Sequence, residues 1–170
     1  MFFRDIVGHS ELKRRLIEMV DSGRIPHAQL YTGAEGVGKL ALALAVAQYI
    51  CCEHREGGEP CGRCPSCVQF AKLSHPDLHF VFPMATRDGV KVCSDMVDVF
   101  RNVVLGNPYI TLEEWMRDAS DNKTVQIYAA EGKEILRKLS FKPYQGQYKV
   151  MIVWLPEKMN VECANKVLKI

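Results

Sequence analysis

The sequence predicts an α/β fold, a parallel sheet flanked by helices, with a phosphate-binding turn and a small four-cysteine module inserted after it. Three observations carry this reading. Short apolar runs alternate with segments of helical period along the chain. Gly33-Ala34-Glu35-Gly36-Val37-Gly38-Lys39 stands between a strand-like run and an Ala- and Leu-rich helix. Cys52, Cys61, Cys64 and Cys67 follow that helix at the spacing of a tetrahedral metal site.

Taken in order, residues 10–20 predict a helix, with Ser10 as its cap, Leu12, Leu16, Ile17 and Val20 on one face, and Gly23 as its stop. Residues 28–32 predict a short buried strand that runs into the glycine-rich turn. Residues 40–51 are apolar on nearly every side, the pattern of a helix buried against a sheet. A second strand is expected over 78–82. Helices follow over 94–104 and 111–119, separated by the break Gly106-Asn107-Pro108. Residues 131–139 read as helix, 141–147 as loop, 149–154 as a buried strand, and Val161 onward as a last helix. An end within that helix suggests a truncated or partly ordered protein.

The bulk numbers suit one core with an appended module: 170 residues, 48% hydrophobic and 25% charged. A net charge of +2 gives no compositional push toward nucleic acid. Arg4 and Asp5 interrupt the opening apolar run, unlike a signal peptide, and the apolar stretch 40–50 carries Gln48 and is too short to span a bilayer. Five of the seven cysteines fall between Cys51 and Cys67, which points to metal binding in a reducing compartment and hence to a cytoplasmic address.

The phosphate turn has a physical logic. Gly33, Gly36 and Gly38 let successive backbone N–H groups converge, the following helix adds partial positive charge, and Lys39 reaches the outer phosphates. The next residue ordinarily supplies a hydroxyl to magnesium, but Leu40 offers no oxygen. The strand 149–153 leads into Trp154 and Leu155, where acids that hold magnesium and orient water are expected. Glu157 is the nearest carboxylate, displaced by Pro156 and placed at the surface. Two readings stay open: ATP or ADP bound weakly without turnover, or a loop kept only as a fold element. Magnesium and hydrolysis are not expected.

Cys52, Cys61, Cys64 and Cys67 form C-x8-C-x2-C-x2-C, four thiolates with no open position, which suits structural zinc. The turn Gly57-Gly58-Glu59-Pro60 brings the chain back. Cys51 and His54 are rival upstream ligands; free thiols or an iron–sulfur site are the alternatives. Cys93 and Cys163 read as structural, as does His27.

Several stretches resemble bacterial DNA polymerase III clamp-loader subunits. They are Phe3-Arg4-Asp5-Ile6-Val7-Gly8, then Gly23-Arg24-Ile25-Pro26-His27-Ala28, the phosphate turn, the cysteine cluster, His75-Pro76-Asp77, Met159-Asn160, and Ala164-Asn165-Lys166-Val167-Leu168-Lys169. The resemblance implies an AAA+-type P-loop domain over 1–170, with a zinc module at 51–73 and a family-atypical insertion at 84–125. Leu40, Trp154 and Leu155 depart from the motor subunits, so the resemblance is to the non-hydrolysing delta-prime type. It implies an assembly role beside other clamp-loader subunits, the sliding clamp and primed DNA. An active ATPase motor is the alternative, followed by a stand-alone zinc-containing nucleic-acid module. Within the insertion, Leu112, Trp115 and Met116 share a helical turn and are expected either as interface anchors or as packing within the domain.

Overall fold

The computed structural model describes residues 1–87, 89–119 and 124–168. Parts of the 84–125 segment (88 and 120–123) and the final Lys169 and Ile170 lie outside the described residues. Seven α-helices and two strands are described: α1 Ser10–Asp21, α2 Lys39–Cys51, α3 Pro65–Phe70, β1 Leu78–Val81, α4 Val97–Gly106, α5 Leu112–Ala119, α6 Ala129–Ser140, β2 Val150–Val153 and α7 Val161–Val167. Short 3-10 turns precede α1, α4 and α7.

β1 and β2 pair in parallel, Leu78 opposite Val150 through Val81 opposite Val153. Apolar residues dominate both, as buried parallel strands require, with the half-buried His79 the exception in β1 and one side of β2 only half covered. The long crossover between them carries α4, α5 and α6.

α2 is the central helix. It lacks a polar face, so it serves two cores at once. Leu40, Leu44, Ala47 and Cys51 pack into the main core with the strands. Ala41, Leu42, Ala45, Val46 and Tyr49 pack against Phe3, Ile6, Leu16 and Val20 of the N-terminal segment and α1. The main core continues into an aromatic cluster. Phe82 stacks on Phe100 at 4.2 Å, and Trp115 meets both rings edge-on at 5.2 and 5.4 Å.

Three sequence expectations change. Residues 28–32 are irregular rather than a buried strand, with Leu30 at 78% exposure and Tyr31 alone half-buried against the α1–α2 core. A strand needs a hydrogen-bonded neighbour, and among the described residues nothing pairs with this run. Ser10 is the first residue of α1, not its cap. Gly8 and His9 both adopt left-handed backbone, which turns the chain one residue earlier, and Lys13 N–H bonds the His9 carbonyl at 2.8 Å. Leu12 falls off the buried face, at 43% exposure. Gly23 does stop α1, at φ 69°, with its N–H on Val20 O and the next N–H on Met19 O.

Trp115 is fully buried and donates its indole N–H to Pro83 O at 2.6 Å, so it packs α5 onto the main core and is no exposed interface anchor.

The phosphate turn and the four-cysteine cluster

The cysteine cluster assembles from local chain geometry. Cys52 ends α2, and Gly57 and Gly58, both at positive φ, reverse the chain through a Glu56–Glu59 bridge. Gly62 takes φ 71°, with the tip of the Phe2 ring 2.9 Å from where a Cβ would stand, so a side chain at position 62 would be strained. Cys64 then caps α3, with Pro65 in its first turn and Cys67 one turn on.

The four sulfurs lie within 4.8 Å of one another, Cys61 and Cys67 at 4.0 Å. A tetrahedral zinc site with Zn–S near ~2.3 Å has S–S edges of about 3.8 Å, so the donor set can hold a metal ion with little adjustment. All four are free thiols. Backbone N–H groups face the sulfurs in series: Cys61 N to Cys52 Sγ at 3.2 Å, Cys64 N to Cys61 Sγ at 3.3 Å, and Cys67 N to Cys64 Sγ at 3.5 Å. Such donors favour thiolate. The Arg63 N–H, and then that of Cys64, bring the Cys61 thiol down to about 6, while burial pushes Cys52 and Cys67 up.

The rival ligands are set apart. Cys51 belongs to the main core, where burial lifts its thiol to about 12, and His54 is exposed and outside the cluster. The sequence did not disclose how the module is anchored. His75 Nδ1 accepts the Asp77 N–H at 3.1 Å, so Nε2 carries the proton toward Ser66 Oγ at 3.3 Å, and Ser66 reaches Glu53 at 3.4 Å. Ser66 and His75 are buried, and His75 packs on Phe70 at 4.8 Å. This polar chain ties the cysteine helix to the start of β1.

The phosphate turn places Gly33, Gly36 and Gly38 at positive φ and Lys39 at the head of α2. Several of its groups are engaged by protein. Lys39 Nζ donates to Gly33 O at 2.8 Å and Ala34 O at 2.6 Å. His9 Nε2 lies 2.8 Å from Val37 O. Glu35 Oε1 accepts the Leu112 N–H at 3.3 Å, and the Tyr109 ring stands 2.9 Å from where a Gly38 Cβ would be. His9, Tyr109 and Leu112 were not legible as neighbours of this turn, because each is distant in sequence.

Leu40 points into the main core at 6% exposure. At the end of β2, Trp154 is buried against Phe100 at 5.8 Å and Trp115 at 6.3 Å. Leu155 takes left-handed backbone, φ 57°, and Glu157 is exposed in the following 3-10 turn. The arrangement sets Lys39 beside the glycine turn, with apolar side chains at positions 40, 154 and 155.

Residues 8–170 match the model of a family described as DNA polymerase III, delta subunit. The Bacillus subtilis DNA polymerase III subunit delta' is 38% identical over 88 residues, 49% of this chain and 25% of that protein. The Escherichia coli subunit tau is 33% identical over 96 residues, 56% of this chain and 15% of that protein. A Mycobacterium tuberculosis gamma/tau subunit is 38% identical over 69 residues, 41% of this chain and 12% of that protein. The matched segments thus span a quarter or less of these relatives' lengths.

Proposed function

Because the chain belongs to the DNA polymerase III delta-subunit family of bacterial clamp-loader proteins, we propose that it is a non-hydrolysing assembly subunit of the loader. Its work is to hold neighbouring subunits in position while the sliding clamp is opened and set on primed DNA. The observation that carries this is the burial of Leu40 and Trp154 in the core, where a nucleotide-hydrolysing site of this class needs a hydroxyl and a carboxylate on magnesium. Residues 1–170 then form an AAA+-type domain, with 51–73 as a module and 84–125 as an insertion within it.

In this reading Cys52, Cys61, Cys64 and Cys67 hold one structural zinc ion, which supplies rigidity and no chemistry. Elemental analysis of protein purified without chelator is expected to give one zinc per chain, lost in Cys67→Ser and kept in Cys51→Ser. A metal-free wild type would remove this part of the proposal. Among the described residues no helix is long and apolar enough to cross a membrane; a cytoplasmic location belongs to the proposed loader role.

An active ATPase motor is the second reading, favoured by the retained Gly33, Gly38 and Lys39 and by the tau and gamma/tau relatives. Steady-state ATP hydrolysis by the full-length protein, alone and with the other loader subunits, separates the two. The assembly reading expects no turnover attributable to this subunit, yet stable co-purification with the loader. Turnover abolished by Lys39→Ala establishes the motor, and a folded protein that never joins the loader removes both.

A further inference from the structure

We infer that the turn 107–112 is an internal occupant of the phosphate loop's mouth, which excludes nucleotide by holding the loop in a self-bonded state. The inference deepens the non-hydrolysing reading above and rests on it for the identity of the loop as the family's nucleotide site.

The turn is prebuilt. Asn107 Oδ1 accepts the Tyr109 N–H at 2.9 Å across Pro108, an Asx turn with a fixed φ at its centre. Thr111 and Glu114 then form a reciprocal capping box at the head of α5: Thr111 N–H to Glu114 Oε2 at 2.8 Å, and Glu114 N–H to Thr111 Oγ1 at 3.2 Å. Between these fixed points the chain delivers two groups to the phosphate loop. The Tyr109 ring packs over Gly38, with Ile6 beside them at 3.7 Å from the same point. The Leu112 N–H, at the positive end of α5, meets the Glu35 carboxylate.

The base of the insertion is equally well fixed. Trp115 lies one turn beyond Leu112, wholly buried, with its N–H on Pro83 O and its ring edge-on to Trp154. The side chain at the missing acid's position and the segment covering the loop therefore belong to one packed unit. A phosphate group entering the loop must compete with Gly33 O and Ala34 O for Lys39, and a nucleotide must displace Tyr109 from Gly38. An apolar ring and a paired carboxylate stand where anionic phosphates would approach.

The test titrates the full-length protein with ATP, with and without magnesium, by calorimetry. Wild type is compared with Tyr109→Ala and Glu35→Ala, each checked for native circular dichroism and metal content. Hydrogen exchange of amides 33–39 is read in parallel. Tyr109→Ala is expected to bind ATP roughly tenfold or more tighter than wild type. Adding Lys39→Ala is expected to reverse the gain, and exchange across 33–39 should rise in both single variants. If Tyr109→Ala does not fold, the exposed-loop change Glu35→Ala carries the comparison alone. Unchanged affinity in every folded variant overturns the inference, as does a wild type that already binds as tightly as Tyr109→Ala. Binding gained without turnover supports both readings. Binding gained with turnover supports the occupant and removes the non-hydrolysing reading.

Discussion

Asp77 is the residue whose replacement tests the described architecture most sharply. It is 1% exposed, and its carboxylate accepts the backbone N–H groups of Tyr144 at 2.6 Å, Gln145 at 2.8 Å and Gly146 at 3.3 Å. Its own carbonyl accepts the Val150 N–H at 2.8 Å, so one residue anchors the loop ahead of β2 and starts the β1–β2 ladder. Asp77→Asn keeps the oxygen facing Tyr144 but sets an amide NH2 against the Gln145 and Gly146 donors. A hydrogen bond to a buried charge contributes about 1.5–3 kcal/mol, and the 3.3 Å contact is the weaker of the two lost. The expected loss is about 3 kcal/mol, which lowers the urea midpoint by about 1 M or more for a domain of this size. Urea unfolding at pH 7, followed through the buried Trp115 and Trp154, measures it. The pH dependence adds a second check. Burial pushes the Asp77 carboxyl up, but the three N–H donors prevail and hold it below the usual carboxylate range. A depressed carboxylate stabilises fully above the unfolded value, ~3.9, and loses that contribution as pH falls through the folded value. The gap between wild type and Asn should stay flat from neutral pH to about 5, then close below 4. A loss under ~0.5 kcal/mol at pH 7, or a gap that widens on acidification, would refute the anchoring argument.

Trp115→Ala removes a fully buried ring from the Phe82–Phe100–Trp154 cluster and should cost about 3–5 kcal/mol, read as a lowered thermal or urea midpoint; a loss near zero would mean α5 is not part of the core. His79, on β1, is held neutral by burial and by Lys138 and Lys149, its imidazole brought down to about 4. Because the unfolded side chain protonates near ~6.5, stability should be complete above that pH and fall between about 6.5 and 4 by an amount on the order of 2 kcal/mol. His79→Gln should flatten that portion of the wild-type stability profile, and an unaltered slope would count against it.

Local signals carried the parts of the fold that were legible in the sequence. α2 was readable because it lacks a polar face, β2 because it is an unbroken apolar run and β1 because His79 alone interrupts one, and the four-cysteine cluster because its members all fall between residues 52 and 67. Leu40 and Trp154 stood out in the sequence because hydrolysis at a phosphate turn would require oxygen-bearing side chains at such positions. Residues 28–32 were misread because side-chain pattern reports a preference for strand, whereas a strand exists only with a partner. Ser10 was misplaced because the left-handed pair Gly8–His9 fixes the helix start through backbone conformation. The spacing of Leu112 and Trp115 marked an apolar face without saying whether the core or a partner covers it. Tyr109 over Gly38, Glu35 on Leu112 and Asp77 beneath Tyr144 join points far apart along the chain, which no local window contains.

The separation of paired residues along the chain has a kinetic corollary. The thiol of Cys52 meets the Cys61 backbone across nine residues, whereas Asp77 meets Tyr144 across 67. Closing the longer loop costs about 2 kcal/mol more in chain entropy, before β1 and β2 can reward it. The cysteine segment can therefore take shape while a nascent chain is still emerging, but β1 must wait for some seventy further residues to be made, at ~5–20 residues per second. For those seconds Leu78, Phe80 and Val81 have no sheet neighbour and depend on α2 and the folded cysteine segment for cover. An early-formed module beside the end of α2 shelters the strand that is slowest to find its mate.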